Sequence, residues 1–143
     1  MPSVSRRLTI EAPPDRLWEL VSDPHHLPRW WPAVERMEGV EEGRFTQVLF
    51  TRKGRPVRID YRVVTQEPPH RQVWEQDLAG TPFERVLSGS VIEVLVDPVP
   101  DGAEVTISQR QQLRGYSRTG GWMLRRATRR KLDQALEGLA AIA

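Results

Sequence analysis

The 143-residue chain contains no cysteine. That excludes a disulfide scaffold, a thiolate zinc site and a cysteine nucleophile, and it fits a reducing compartment. No apolar run approaches the length of a bilayer span, and stretches such as Gly138 to Ala143 are among the longest. The opening Met-Pro-Ser-Val-Ser-Arg-Arg lacks the apolar segment of a secretory signal. Also missing are a G-x-S-x-G elbow, an H-E-x-x-H pair, a Walker loop and a G-x-G-x-x-G turn, so no cofactor is expected. His25 and His26 are adjacent and cannot share a helical or strand face as chelating pairs do, and His70 follows two prolines in a turn. These read as surface histidines, and no metal site is expected. The catalytic residues are left unassigned by motif. One further absence is local: no acidic residue lies between Glu104 and Asp133.

What is present describes a globular chain. Hydrophobic residues make up 38% and charged residues 28%, with a mean hydropathy of -0.52. A chain of this length buries roughly 70% of its unfolded surface, enough for one core. A single cytoplasmic domain over residues 1–143 is expected. The acid-free stretch holds Arg110, Arg114, Arg118, Arg125, Arg126, Arg129, Arg130 and Lys131, a local charge of +8 in a chain of net +2, so the remainder carries -6. Three readings suit such a segment. It is an ordinary solvated face, or it recruits an anionic membrane surface through Arg118, Arg125, Arg126 and Arg129, or it contacts RNA phosphates. Nucleic acid ranks last, because only Tyr116 and Trp122 add the aromatic contacts that RNA binders use. Oligomeric state is not set by the sequence.

Strand and helix periods follow a definite order. Val4, Leu8 and Ile10 alternate with polar residues, which predicts a first strand ending at Pro13-Pro14. Pro14 suits a first helical turn, and Leu17, Leu20 and Val21 form a short apolar stripe. Ser22-Asp23-Pro24 starts a second helical turn that Pro28 and Pro32 stop. Six strands are then predicted, at Val34–Val40, Arg44–Thr51, Pro56–Thr65, Arg71–Leu78, Glu84–Val96 and Ala103–Leu113, separated by glycine, proline or acidic turns. Nothing between them is long enough for a parallel crossover helix, so the sheet is expected to be an antiparallel meander. A long helix begins between Ser117 and Trp122, with Leu124, Thr128, Leu132, Ala135, Leu136, Leu139 and Ala143 on one face. It is the only long apolar helix available to cover the sheet.

Strand parity assigns the inner face. Tyr61 shares a side with Val57, Ile59 and Val63; Trp74 and Gln76 oppose Glu75 and Asp77; Ser88 and Ser90 oppose Glu93; Gln109 and Gln111 oppose Arg110 and Gln112. Seven polar or aromatic side chains on one face are tolerated where they line a wet or ligand-filled cavity, or where they bond one another. Trp30 and Trp31, between prolines, stand at a cavity rim or form a plug under the loop. Trp122 opens the last helix and closes the mouth from the other side.

The run Ile10-Glu-Ala-Pro-Pro-Asp-Arg-Leu-Trp18-Glu-Leu-Val-Ser-Asp23-Pro24-His-His-Leu-Pro28-Arg-Trp30-Trp31-Pro32 resembles the N-terminal signature of the START-like, or SRPBCC, superfamily, in its polyketide cyclase/dehydrase branch. The motif covers the first quarter of the chain, and the element order covers nearly all of it. The resemblance implies a helix-grip fold of class α+β. In it, a curved antiparallel sheet of about seven strands wraps a long C-terminal helix and encloses a cavity. It does not fix a function, since the superfamily spans cyclases, lipid carriers, hormone receptors, chaperone co-activators and ribosome binders. Three readings follow. The chain binds a small, largely hydrophobic, lipid- or polyketide-like ligand at Trp30, Trp31, Tyr61, Trp74, Gln76, Ser88, Ser90, Gln109, Gln111 and Trp122. Alternatively it is a cyclase/dehydrase-type enzyme, with Tyr61 or Arg85 as the acid, although the parity of Arg85 with Glu93 points it outward. The third reading is a protein-interaction module that uses the outer sheet or the basic helix.

Overall fold

The structure is a computed structural model that describes residues 3–115 and 118–143, without the side chains of Arg118 and Thr119. Strand β1 (Ser3–Ile10) leads into helix α1 (Pro14–Ser22), a tight helical turn at Pro24–His26 and the one-turn helix α2 (Leu27–Trp30). Strands β2 (Arg36–Glu41), β3 (Arg44–Phe50), β4 (Pro56–Glu67), β5 (Arg71–Gln76), β6 (Leu87–Val99) and β7 (Gly102–Leu113) follow, and helix α3 (Arg118–Ile142) ends the chain. The predicted meander is present. β2 to β7 pair in sequence order, all antiparallel, and β1 adds to the free edge of β7 from Ser3↔Arg110 to Ile10↔Ala103.

Local chemistry explains the segment ends. Pro14 stands in the first turn of α1, where a missing N–H costs nothing, and Asp15 complements that end of the helix. The Asp23 carboxylate accepts from the His25 backbone N–H at 3.0 Å and caps the next turn. Strand formation at Glu84 was expected, but Pro82–Arg85 forms a tight helical turn, and β6 begins at Leu87. Proline at its first position pre-sets that turn. Register shifts fall at Glu38/Glu41 in β2, Val63/Thr65 in β4 and Leu87/Gly89 in β6. Each bulge inserts a residue and bends its strand, which helps the sheet curve.

The convex face is polar. Arg71 pairs with Glu93 at 2.7 Å and Glu67 at 2.8 Å, Arg62 with Glu75 at 3.1 Å, and Glu38 with Arg36 and Arg58 at 3.2 and 3.1 Å. Such exposed pairs are screened by water and add little to stability. The concave face carries the core. Ile92, Val94, Val96, Val105 and Ile107 from the sheet meet Leu132, Ala135, Leu136 and Leu139 from α3, and Leu17, Leu20 and Leu27 complete the layer. Each fully buried leucine contributes roughly 1.5–3 kcal/mol. Ala143, expected on this stripe, is exposed, and the stripe ends with Leu139 and the partly buried Ile142.

Coverage of the concave face is uneven. Leu132 to Leu139 lie against the sheet and α2, whereas Trp122, Met123 and Arg125 to Ala127 are exposed and Leu124 is only half-buried. Gly138 is where the well-packed half makes its closest approach. A Cβ there would sit 2.5 Å from the Trp30 carbonyl oxygen, closer than real Cβ atoms come to backbone. Inside a helix, Gly→Ala ordinarily stabilises by about 1 kcal/mol. Here Gly138→Ala is expected to destabilise by about 1–3 kcal/mol, because α3 must shift off α2. Urea unfolding checks this, and a stabilised variant would mean that the two helices do not touch in this way.

Candidate functional site

Where the first half of α3 stands off the sheet, a cavity of about 670 Å³ remains. That is within the range of small-molecule sites. Its walls are Ile59 and Tyr61 of β4, Gln76 of β5, Leu87 of β6, and Gln109, Gln111 and Leu113 of β7. Gly120, Leu124 and Lys131 of α3 face them. Phe83, Arg85 and Val86 from the turn before β6 stand with Arg114 and Met123 at the open end. Val86 and Met123 there leave 54% and 58% of their surface to solvent, an apolar lip. A smaller recess of about 220 Å³ at β3 and β4 is bordered by Arg44, Asp60, Arg62 and Asp77 and is polar.

The structure brings Tyr61, Gln76, Gln109 and Gln111 together on this one wall. Ser90 lies behind it, where its Oγ accepts from Gln109 Nε2 at 3.2 Å. Gln111 Oε1 accepts from the Thr128 hydroxyl at 3.0 Å and ties β7 to α3. Gln109 Oε1 is buried with no hydrogen-bond partner. Tyr61 is almost wholly buried, and burial pushes its phenol above its ordinary value of 10. No hydrogen bond within the described residues engages its hydroxyl.

Other expected site residues lie elsewhere. Trp30, Trp31 and Trp74 are core. Trp31 stands edge-on to Trp30 and to Trp74 with centroids 5.5 Å apart, and Trp74 meets Phe45 at 5.4 Å. Trp30 Nε1 donates to the Leu20 carbonyl and Trp74 Nε1 to Gln72 Oε1, so both indole N–H groups are satisfied within the protein. Ser88 was expected to face inward and does not. The bulge at Leu87/Gly89 breaks the alternation, turning Leu87 in and Ser88 out to donate to the Gln112 carbonyl. Trp122 was expected to close the mouth but is 53% exposed and stacks with the Arg126 guanidinium at 5.7 Å. Two positions from Leu124, it lies about 200° around the helix. Arg85, expected outward by strand parity, belongs to the tight turn and reaches the cavity rim. Of the expected basic cluster, Arg125, Arg126 and Arg129 are exposed, while Tyr116 and the Arg118 side chain lie outside the described residues.

Two inner residues were missed. Gln47 is buried with its Nε2 unpartnered. Lys131 lines the cavity with no carboxylate paired to it, its Nζ 5.8 Å from the Trp31 ring. Burial pulls its ammonium down to about 8 from 10.5. Its place on the stripe was readable, since it follows Leu124 by seven residues and Thr128 by three.

A curved antiparallel sheet with a C-terminal helix packed across its concave face defines a helix-grip protein. The chain belongs to the family described as "Polyketide cyclase / dehydrase and lipid transport", whose model matches residues 1–143. Among solved structures it is similar to the di-domain aromatase/cyclase BexL from the BE-7585A biosynthetic pathway, at 23% identity and TM-score 0.81 over 99% of this chain and 46% of that one. It is similar to the Zhui aromatase/cyclase from Streptomyces sp. R1128, at 16% identity and TM-score 0.78 over 98% and 92% of the two chains. A third is XoxI from Bacillus cereus, at 17% identity and TM-score 0.76 over 99% and 95%. The chain spans about half the length of the di-domain proteins, 46% of BexL and 49% of StfQ from the steffimycin pathway. At these identities the likeness shows the fold. A search of curated proteins finds no match in sequence.

The Lys131 environment has a consequence for stability. Its folded value near 8 lies below its ordinary 10.5, so between those pH values the unfolded chain binds more protons. Stability from this group therefore rises with pH across that window and is lost as pH falls through about 8. Lys131→Met removes the cost of the buried charge. It is expected to stabilise the protein by about 2–3 kcal/mol at pH 7, with the gain shrinking toward pH 10. Urea unfolding of both proteins from pH 6 to 10 checks this; a pH-independent difference, or a destabilised variant, contradicts it.

Proposed function

We propose that this protein binds a small, largely hydrophobic ligand, lipid- or polyketide-like, in the cavity between the sheet and α3. The observation that carries this reading is the 670 Å³ cavity itself, with apolar walls interrupted by a few convergent polar groups. An apolar recess of this size leaves apolar surface in water that a ligand would cover. The family description, which covers both polyketide cyclases and lipid transport, supports the same class of ligand.

A second reading is catalysis of the cyclase/dehydrase type. It is favoured by Tyr61 and Lys131 lining the same cavity. A neutral phenol can donate a proton to a developing alkoxide, and an amine near its folded value of 8 can accept one from an acidic carbon. Walls that hold a flexible chain folded would supply the positioning such a closure needs. Turnover of a co-purified ligand, followed by mass spectrometry, separates this reading from simple binding.

The binding reading is tested with the neutral dye N-phenyl-1-naphthylamine, which brightens in apolar surroundings. It is expected to bind one molecule per chain. Leu124→Trp, at a half-buried cavity position, is expected to weaken binding at least ten-fold while far-UV circular dichroism and the unfolding transition stay native. Unchanged dye affinity in the folded variant would place the dye outside this cavity and remove the support for the reading.

A further inference from the structure

The charges around the cavity are of one sign. Lys131, Arg85 and Arg114 are among its lining residues, and no aspartate or glutamate is. The convex face differs, since its arginines stand beside carboxylates. Arg85 and Arg114 are exposed at the rim, and Arg114 Nε donates to the Glu84 carbonyl at 2.6 Å. Lys131 is different again. It is mostly shielded from water, it sits deeper along α3, and its Nζ lies over the Trp31 indole. A cation taken out of water without a counter-ion is costly, and an indole face compensates only part of that cost. Tyr61 and Gln109 line the same cavity, and Gln109 Oε1 is buried without a hydrogen-bond partner among the described residues.

We infer that the cavity selects an apolar molecule bearing an anionic oxygen, carboxylate or enolate, and that Lys131 is the residue that pairs with that oxygen. The inference rests on the reading of this cavity as a ligand site, and it adds the class of ligand. The apolar body lies against Ile59, Leu87, Leu113 and Leu124, and a hydroxyl on the same molecule can donate to Gln109 Oε1. Lys131 is then a specificity residue. It penalises a wholly neutral ligand, which leaves the ammonium unpaired, and rewards an acidic one.

Decanoate and decan-1-ol share an apolar chain and differ in charge, so their displacement of bound N-phenyl-1-naphthylamine at pH 7 reads the effect of Lys131 directly. In the wild-type chain both are expected to displace the dye. In Lys131→Met, decanoate is expected to weaken at least ten-fold while decan-1-ol holds its affinity or gains. Lys131→Arg should retain most of the decanoate affinity. Arg125→Glu/Arg129→Glu, on the exposed side of α3, should leave both competitors unchanged. Decanoate unaffected by Lys131→Met, or lost in the surface variant instead, overturns the inference while the cavity reading stands. No dye binding to the wild-type chain overturns the cavity reading itself.

Discussion

One helix has to cover a seven-stranded concave sheet, and its apolar stripe is long enough to seal only part of it. The better-packed half of α3 is fixed by Leu132, Ala135, Leu136 and Leu139, and by the glycine that lets its backbone reach Trp30. The aromatic group of Trp30, Trp31, Phe45 and Trp74 fills the space beneath that half. Toward its start, α3 turns from leucines to Thr128, Leu124 and Gly120, and the sheet opposite presents Gln109, Gln111 and Leu113. The cavity is what one-sided closure leaves behind, and the tryptophan plug sets where it stops.

The same region holds groups that a purely structural interior would avoid. An unpaired ammonium, an orphaned carboxamide oxygen and an unengaged phenol line one space. The buried ammonium and the orphaned oxygen oppose folding unless something fills the site, and apolar replacements of similar volume would pack as well. Such groups gathered around one cavity are a usual signature of a site. The outer face carries ordinary exposed ion pairs and no such debt.

Much of this was legible in the residues. The meander followed from turn chemistry at Glu41-Glu42-Gly43 and Lys53-Gly54-Arg55, and the closing helix from its leucine spacing. Alternation placed Tyr61, Gln76, Gln109 and Gln111 on the cavity side, because β4, β5 and β7 keep their period through those positions. It failed at Ser88, where a bulge next to Gly89 inserts an extra residue, and at Arg85, where Pro82 replaces strand by turn. Bulges depend on how two strands fit, which a single strand's pattern does not encode. The tryptophans misled for a different reason. A large aromatic between prolines serves a rim or a plug equally well, and the burial of Trp30 and Trp31 with their edge-on contacts decides for the plug. Lys131 was hidden among seven arginines, its stripe position masked by the charge pattern around it.

The central claim is that a ligand enters between the sheet and the first half of α3. Intermolecular nuclear Overhauser effects test it most directly, with N-phenyl-1-naphthylamine bound to the methyl-labelled protein. The account predicts contacts from the dye to the methyl groups of Ile59, Leu87, Leu113, Met123 and Leu124, which line the cavity. Contacts confined to Leu8 and Val64, exposed methyl-bearing residues that do not line it, would contradict the account.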